Sequence, residues 1–207
     1  MPPRNLLVSI ALGTLATLAH PFAFAAKAAR RLFIGSRQSA ALAKIDTAQW
    51  TPELLKCLEW RRFEDLCEAY FEAQGSDGAA LLVQCRPWSA HGVGIKPVRV
   101  LHAAMASANV PEGVLVTSGK FTQEARTFAD KEKISLIDGA ELIGKIGALE
   151  PEKALALLEV ATQGDFLTPT CPSCAIKMIS RKSTTHGRAY WGCRNYPGCK
   201  QTFSDTV

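Results

Sequence analysis

At 207 residues, with 47% hydrophobic and 21% charged side chains, the chain is long enough for one medium domain and one small one, and too apolar to be a disordered tail. Its formal net charge of +5 is unevenly laid out: residues 1–44 hold six basic side chains and no acid, residues 45–164 hold twelve basic and seventeen acidic, and residues 165–207 hold six basic and two acidic. Two basic ends around an acidic middle exclude a protein that coats nucleic acid along its whole length, and they concentrate attraction for phosphate in the final segment.

From Asn5 to Ala26 the sequence carries no charge, and its apolar run opens at Leu6-Leu7-Val8. A helix of that length rises about 33 Å, the hydrocarbon thickness of a bilayer, so residues 6–26 predict an N-terminal hydrophobic helix that anchors the chain in a membrane. Lys27, Arg30, Arg31 and Arg37 follow the run, against Arg4 before it. The positive-inside rule then puts the body in the cytoplasm, on an inner membrane. The alternative is a cleaved signal peptide ending near Ala23-Phe24-Ala25; export would carry free thiols into an oxidising space, which weighs against it.

Residues 45–75 predict a loop and then one helix. Thr51-Pro52-Glu53 supplies a cap, a first-turn proline and an acid near the positive end of the dipole. Leu55, Leu58, Phe63, Leu66, Cys67, Tyr70 and Phe71 make its apolar stripe, and Gly75 ends it. Short apolar strands then alternate with helices: a strand over 81–86, a helix over about 97–108, a strand over 113–117, a helix from Thr122 to Lys131, a strand over 134–137, a helix around Leu142 and Ile143, and another over about 151–162. This alternation indicates an α/β layer domain with an at least partly parallel sheet. Cys57, Cys67 and Cys85 fall at apolar positions and read as buried thiols.

Five runs stand in order over about 50–147: Phe63-Glu64-Asp65-Leu66, Leu82-Val83-Gln84-Cys85-Arg86, Gly94-Ile95-Lys96-Pro97-Val98, Val116-Thr117-Ser118-Gly119-Lys120-Phe121-Thr122 and Leu136-Ile137-Asp138-Gly139. Together they resemble Mrr-like restriction endonucleases. The resemblance implies the PD-(D/E)xK nuclease fold, here a truncated mixed sheet flanked by helices, and cleavage of DNA with a divalent metal, usually magnesium. It also implies an active strand ending Gln-x-Lys and a metal-binding aspartate on a strand of its own upstream. This chain has Gln84-Cys85-Arg86 instead, and only Ser76-Asp77-Gly78-Ala79-Ala80 between Gly75 and Leu81, too short for a hairpin strand and its return.

The candidate catalytic residues are therefore Gln84, Arg86, Glu64 and Asp77. Mg²⁺ needs several oxygen ligands in octahedral geometry, and one glutamine carbonyl cannot hold it, so Glu64 and Asp77 would have to supply carboxylates. Arg86 keeps a positive charge for a phosphoryl transition state but cannot deprotonate. These residues predict a degraded nuclease centre, with Mg²⁺ needed only if cleavage survives. Loss of a strand pair also leaves a sheet edge in need of cover.

After a polar linker at Thr162-Gln163-Gly164-Asp165 come Cys171-Pro172-Ser173-Cys174, then Cys193 and Cys199. Two short knuckles separated by a hairpin supply four thiolates for a tetrahedral Zn²⁺ at about 2.3 Å. A segment this small has almost no core, so zinc must supply its folding energy, roughly 10–16 kcal/mol at structural sites. An odd cysteine total with a C-x2-C pair argues for metal over disulfides. Lys177–Arg181 and Ala189–Gly192 predict two strands, with His186-Gly187 in the turn and His186 exposed and non-ligating.

The run Tyr190-Trp191-Gly192-Cys193-Arg194-Asn195-Tyr196-Pro197-Gly198-Cys199 resembles the C-terminal zinc ribbons of type IA DNA topoisomerases. The resemblance implies binding of single-stranded DNA. Tyr190, Trp191, Tyr196 and Phe203 offer stacking faces, and Arg181, Lys182, Arg188, Arg194 and Lys200 offer phosphate contacts, while Trp191 is the best suited to pad the small core. The domain plan is 1–44 anchor and basic stretch, 45–150 endonuclease-like domain, 151–168 helix and linker, and 169–207 zinc ribbon. The function expected is a membrane-tethered DNA-binding protein with a degraded nuclease centre. An active metal-dependent endonuclease and a zinc-dependent protein-interaction adaptor are the alternatives.

Overall fold

The computed structural model describes residues 8–9, 45–74, 81–86, 92–183, 187 and 189–204. Thr51 caps the first helix as its residue type predicts: its side chain accepts from Leu54 N at 3.1 Å, and Pro52 opens α1 (Pro52–Cys57). The single helix expected to run on to Gly75 is broken. Leu58 turns extended, Glu59 N donates to Phe166 O at 2.9 Å, and α2 (Trp60–Gln74) starts afresh. The apolar stripe continues across the break, with Leu54, Leu55, Leu58, Phe63, Leu66 and Tyr70 all buried.

Three parallel strands follow, β2 (Leu81–Arg86), β3 (Glu112–Thr117) and β4 (Ile134–Ile137), in a register that sets Gln84 opposite Leu115 and Leu115 opposite Leu136. Parallel neighbours need crossovers, and α3 (Ile95–Ala108) and α4 (Gln123–Lys131) make them. Thr122 caps α4 and Asp138 caps α5 (Gly139–Gly147), each through its side-chain oxygen, before α6 (Pro151–Thr162). Strand alternation sorts the buried residues into two cores. Val83, Val114, Val116 and Ile137 pack with α1, α2, α5 and α6, whereas Leu82, Leu115 and Ile134 pack with α3 and α4. Gly139 permits close approach at the end of this sheet, since a Cβ there would lie 2.5 Å from Ser118 O and 3.3 Å from Leu55 Cδ2.

A fourth strand, β1 (Val8–Ser9), pairs antiparallel with β2, setting Val8 opposite Val83 and Ser9 opposite Leu82. These two residues belong to the run expected to be an N-terminal membrane helix, and at them that expectation is corrected: they are extended. The rest of the run and the basic residues after it lie outside the described residues. Among the described residues, no helix is long and apolar enough to cross a membrane. The pairing also covers part of the edge beside β2.

The linker is fastened rather than loose. Asp165 Oδ1 accepts from Leu167 N and Thr168 N at 3.3 and 2.9 Å, and Phe166 is buried against the first core. Beyond it lie β5 (Ile179–Lys182), β6 (Ala189–Gly192) and a third strand that the sequence did not suggest, β7 (Thr202–Ser204), all antiparallel. Their core is Cys171, Met178 and Cys193, with Trp191 and Phe203 packed against it. Trp191 thus pads the core as its sequence context predicts.

Candidate functional site

The ribbon's four cysteines converge. The sulfurs of Cys171, Cys174, Cys193 and Cys199 all lie within 4.8 Å of one another, with Cys171 and Cys199 at 3.7 Å. A tetrahedron of thiolates at about 2.3 Å from zinc has edges near 3.8 Å, so the donor set and its spacing fit structural zinc. Local turns build it: Cys171 N donates to Ile176 O (2.8 Å), Ala175 N donates to Cys171 O (2.8 Å), and Ala175 takes a left-handed backbone at φ 53°. In the second knuckle Asn195 N donates to Cys193 Sγ at 3.4 Å and Cys199 N to Asn195 O at 3.0 Å.

Thiol acidities follow from this crowding. Burial pushes Cys193 up to about 12, the Asn195 N–H pulling it back and the neighbouring thiols adding to the rise. Burial also acts to raise Cys171, but the N–H groups of Ser173 and Cys174 and hydrogen bonds from Cys193 and Cys199 outweigh it, and its acidity is strengthened. Metal binding replaces the remaining protons.

One face of the ribbon sheet holds a cation and rings. Register puts Arg181 opposite Tyr190, on the face away from the Trp191–Phe203 pair. The Arg181 guanidinium stands 5.3 Å from the centroid of the Tyr196 ring, and Tyr196 is 60% exposed. A Cβ at Gly192 would lie 2.7 Å from Arg181 Cδ and 2.8 Å from its Nε, so the missing side chain is the groove in which the arginine lies. Lys182, Arg194 and Lys200 are exposed around this sheet. Arg188 and His186 lie outside the described residues.

The strand end of the α/β domain is different. Gln84 is buried and shares the face of Leu82 by alternation, towards α3 and α4. Cys85 takes the opposite face, packed against the core to which Cys67 of α2 belongs. Burial pushes the Cys67 thiol well above its usual range, and the neighbouring Cys85 thiol and Glu64 carboxylate add to the rise. Glu64 therefore sits with Cys67 on the other side of β2 from Gln84. Its carboxylate also faces Arg61, which reaches Glu64 at 3.8 Å and Asp65 at 3.3 Å. Arg86 closes β2 in register with Thr117, and Asp77 lies outside the described residues. Among the described residues, the four cysteines are the group of metal-ligating side chains that converges; no carboxylate cluster does. Of the three thiols expected to be buried, Cys67 is, while Cys57 and Cys85 are half-buried, and burial pushes Cys57 up to about 11 against a backbone hydrogen bond.

One site escaped the sequence reading. Glu59, with its side chain 2% exposed, accepts from Thr170 N at 3.1 Å, Thr170 Oγ1 at 2.8 Å, Lys177 Nζ at 3.0 Å and Arg61 N at 3.1 Å. Beside it Trp60 Nε1 donates to Thr170 O at 2.6 Å. The signal was there: Glu59 stands four residues after Leu55 and four before Phe63, an acid on the buried stripe, and such an acid requires a partner.

Two family models match the chain. Residues 74–146 match Mrr_cat, described as restriction endonuclease, and residues 168–206 match the topoisomerase DNA binding C4 zinc finger. Both resemblances seen in the sequence are thereby shown, in the same order along the chain. The first match begins at Gln74, so Phe63-Glu64-Asp65-Leu66 stays outside it. Among curated proteins, none matches the chain.

Proposed function

We propose that the chain grips DNA through the ribbon face of Arg181, Tyr190 and Tyr196, on a restriction endonuclease scaffold whose hydrolytic centre is degraded. The observation that carries this reading is the Arg181 side chain laid over Gly192 with its guanidinium against an exposed tyrosine ring. A planar cation beside a ring suits phosphate and base together. The C4 zinc finger match supports DNA as the partner, and the ribbon's resemblance to those of type IA topoisomerases implies single strands. Binding of the full-length, zinc-loaded protein to labelled single-stranded and duplex oligonucleotides should weaken steeply with salt. It should be lost in Cys193→Ser; unchanged affinity in that variant would sink the ribbon's role.

Three features support a degraded centre: Arg86 in the lysine position, a stretch before Leu81 too short for the aspartate strand, and Gln84 and Glu64 against opposite faces of β2. Plasmid incubated with Mg²⁺ or Mn²⁺ should stay intact, with Arg86→Lys as with the native chain. Metal-dependent nicking that disappears in Gln84→Ala would instead establish a working endonuclease. The uncharged run of residues 6–26 and the basic residues after it support a further reading, a tether to a membrane with the body in the cytoplasm. The strand at Val8–Ser9 opposes it. Recovery of the native protein in the soluble fraction after alkaline extraction would end it.

A further inference from the structure

The first cysteine knuckle of the ribbon is held from outside the ribbon. Its two legs run side by side: Thr170 and Lys177 form an antiparallel bridge, Cys171 N donates to Ile176 O at 2.8 Å, and Met178 N donates to Pro169 O at 2.9 Å. Cys171 and Cys174 lie in the loop that this bridge closes. The Glu59 carboxylate, in the turn between α1 and α2, latches both legs at once. Its Oε2 accepts from Thr170 N, and its Oε1 accepts from Thr170 Oγ1 on one leg and from Lys177 Nζ on the other. Trp60 Nε1 donates to Thr170 O, so the residue before Cys171 is fixed through its amide, its hydroxyl and its carbonyl. The second knuckle is shaped by bonds that start and end within the ribbon: Cys193 N to Gln201 O, Asn195 N to Cys193 Sγ and Cys199 N to Asn195 O.

This latch bears on the knuckle through the cost of a buried charge. Three of the four donors to Glu59 come from Thr170 and Lys177, and the fourth, Arg61 N, comes from its own helix. A carboxylate only 2% exposed that kept one donor of four would be a poorly compensated buried charge. The α/β domain therefore penalises opening of the first knuckle whether or not metal is bound. Two ligands already held in a closed loop lose less conformational freedom when the metal arrives, and they bind it more tightly.

We propose that Glu59 is a positioning residue for the zinc site: from the α/β domain it preorganises the Cys171–Cys174 knuckle and so raises the ribbon's affinity for Zn²⁺. The proposal rests on the four cysteines as a zinc site and is independent of the DNA-binding reading. Linkage makes the effect reciprocal, so zinc in the ribbon tightens its hold on the turn between α1 and α2 by the same factor. It also makes the two knuckles unequal. When the metal leaves, the second opens and the first stays latched.

The test uses the full-length protein as the native chain, Glu59→Gln and Thr170→Val, with Leu115→Val as a control that weakens the core on the α3–α4 side. Zinc affinity is measured by competition with a chromophoric chelator, and amide exchange is followed in the zinc-free chain. Glu59→Gln should bind zinc roughly tenfold more weakly, the low end of what partners outside the ligand shell contribute. Thr170→Val removes a single hydroxyl donor, should lose a smaller factor, and carries the test if Glu59→Gln does not fold. Leu115→Val should bind zinc as the native chain does. In the zinc-free native chain the amides of Thr170, Cys171 and Met178 should exchange more slowly than those of β5–β7, and Glu59→Gln should erase that difference. Unchanged zinc affinity in the folded variants, or an equal loss in Leu115→Val, would overturn the proposal. Free exchange at Thr170 in the zinc-free native chain would overturn it too. A native chain that takes up no zinc would overturn the metal site itself, and this proposal with it.

Discussion

The ribbon and the strand end of the α/β domain are both polar sites on small frameworks, and they differ in where their parts come from. The ribbon draws its four sulfurs from two tight turns flanking one hairpin, so each ligand is fixed by hydrogen bonds a few residues long. A nuclease centre of the kind the match at 74–146 suggests draws on a strand, a loop and a helix at once. In this chain the strand and helix candidates belong to opposite faces of β2. A site assembled locally is fixed by its own turns. A site assembled from distant elements depends on how the whole domain packs.

The largest effect expected on this comparison is metal removal. Chelation, or Cys193→Ser, should unfold β5–β7 and erase their amide protection, because the ribbon core is little more than Cys171, Met178 and Cys193. The α/β domain has its own two cores and should keep its far-ultraviolet dichroism. Loss of helix signal on chelation would mean that the latch at Glu59 supports both folds. The reciprocal change is Leu115→Ala, at a side chain with no exposure in the central strand. It should cost about 2–5 kcal/mol of unfolding free energy in denaturant titration, with zinc still bound to the folded protein. A smaller effect is expected from Asp138→Ala, which removes the cap of α5 and the 2.8 Å ion pair with Arg126. About 1 kcal/mol should be lost there, mostly through the cap, since Arg126 is too exposed for its pair to add much.

Much of this molecule was legible in its sequence because the signals were local. Thr51, Thr122 and Asp138 cap the helices that their residue types announce, and the runs at 81–86, 113–117 and 134–137 are the strands of the parallel sheet. The four thiolates announced themselves by spacing. What stayed hidden depended on tertiary partners. The break between α1 and α2 is set by Phe166 O, more than a hundred residues away, and no stripe reveals it. Pairing of Val8 with Val83 depends on a sheet edge that no local pattern reports, and an uncharged apolar run satisfies a strand as well as a membrane. Gly192 read as the last residue of a strand, and nothing local shows that its missing side chain leaves room for Arg181.

Gly192→Ala isolates that last role and is the smallest effect expected. A methyl group there meets Arg181 Cδ and Nε at 2.7 and 2.8 Å, and these belong to a flexible side chain that can move aside. The ribbon should therefore keep its zinc and its strands. What it loses is the seat that holds the guanidinium 5.3 Å from the Tyr196 ring, a contact worth about 0.5–1 kcal/mol at exposed sites. DNA affinity should fall by roughly two- to fivefold, with a salt slope close to that of the native chain because no charge has been removed. A fall of the same size in Tyr196→Leu, and no further fall when the two changes are combined, would show that glycine and tyrosine act through the same arginine. Additive losses would mean that Tyr196 meets DNA on its own account and that the seat beneath Arg181 is a feature of folding alone.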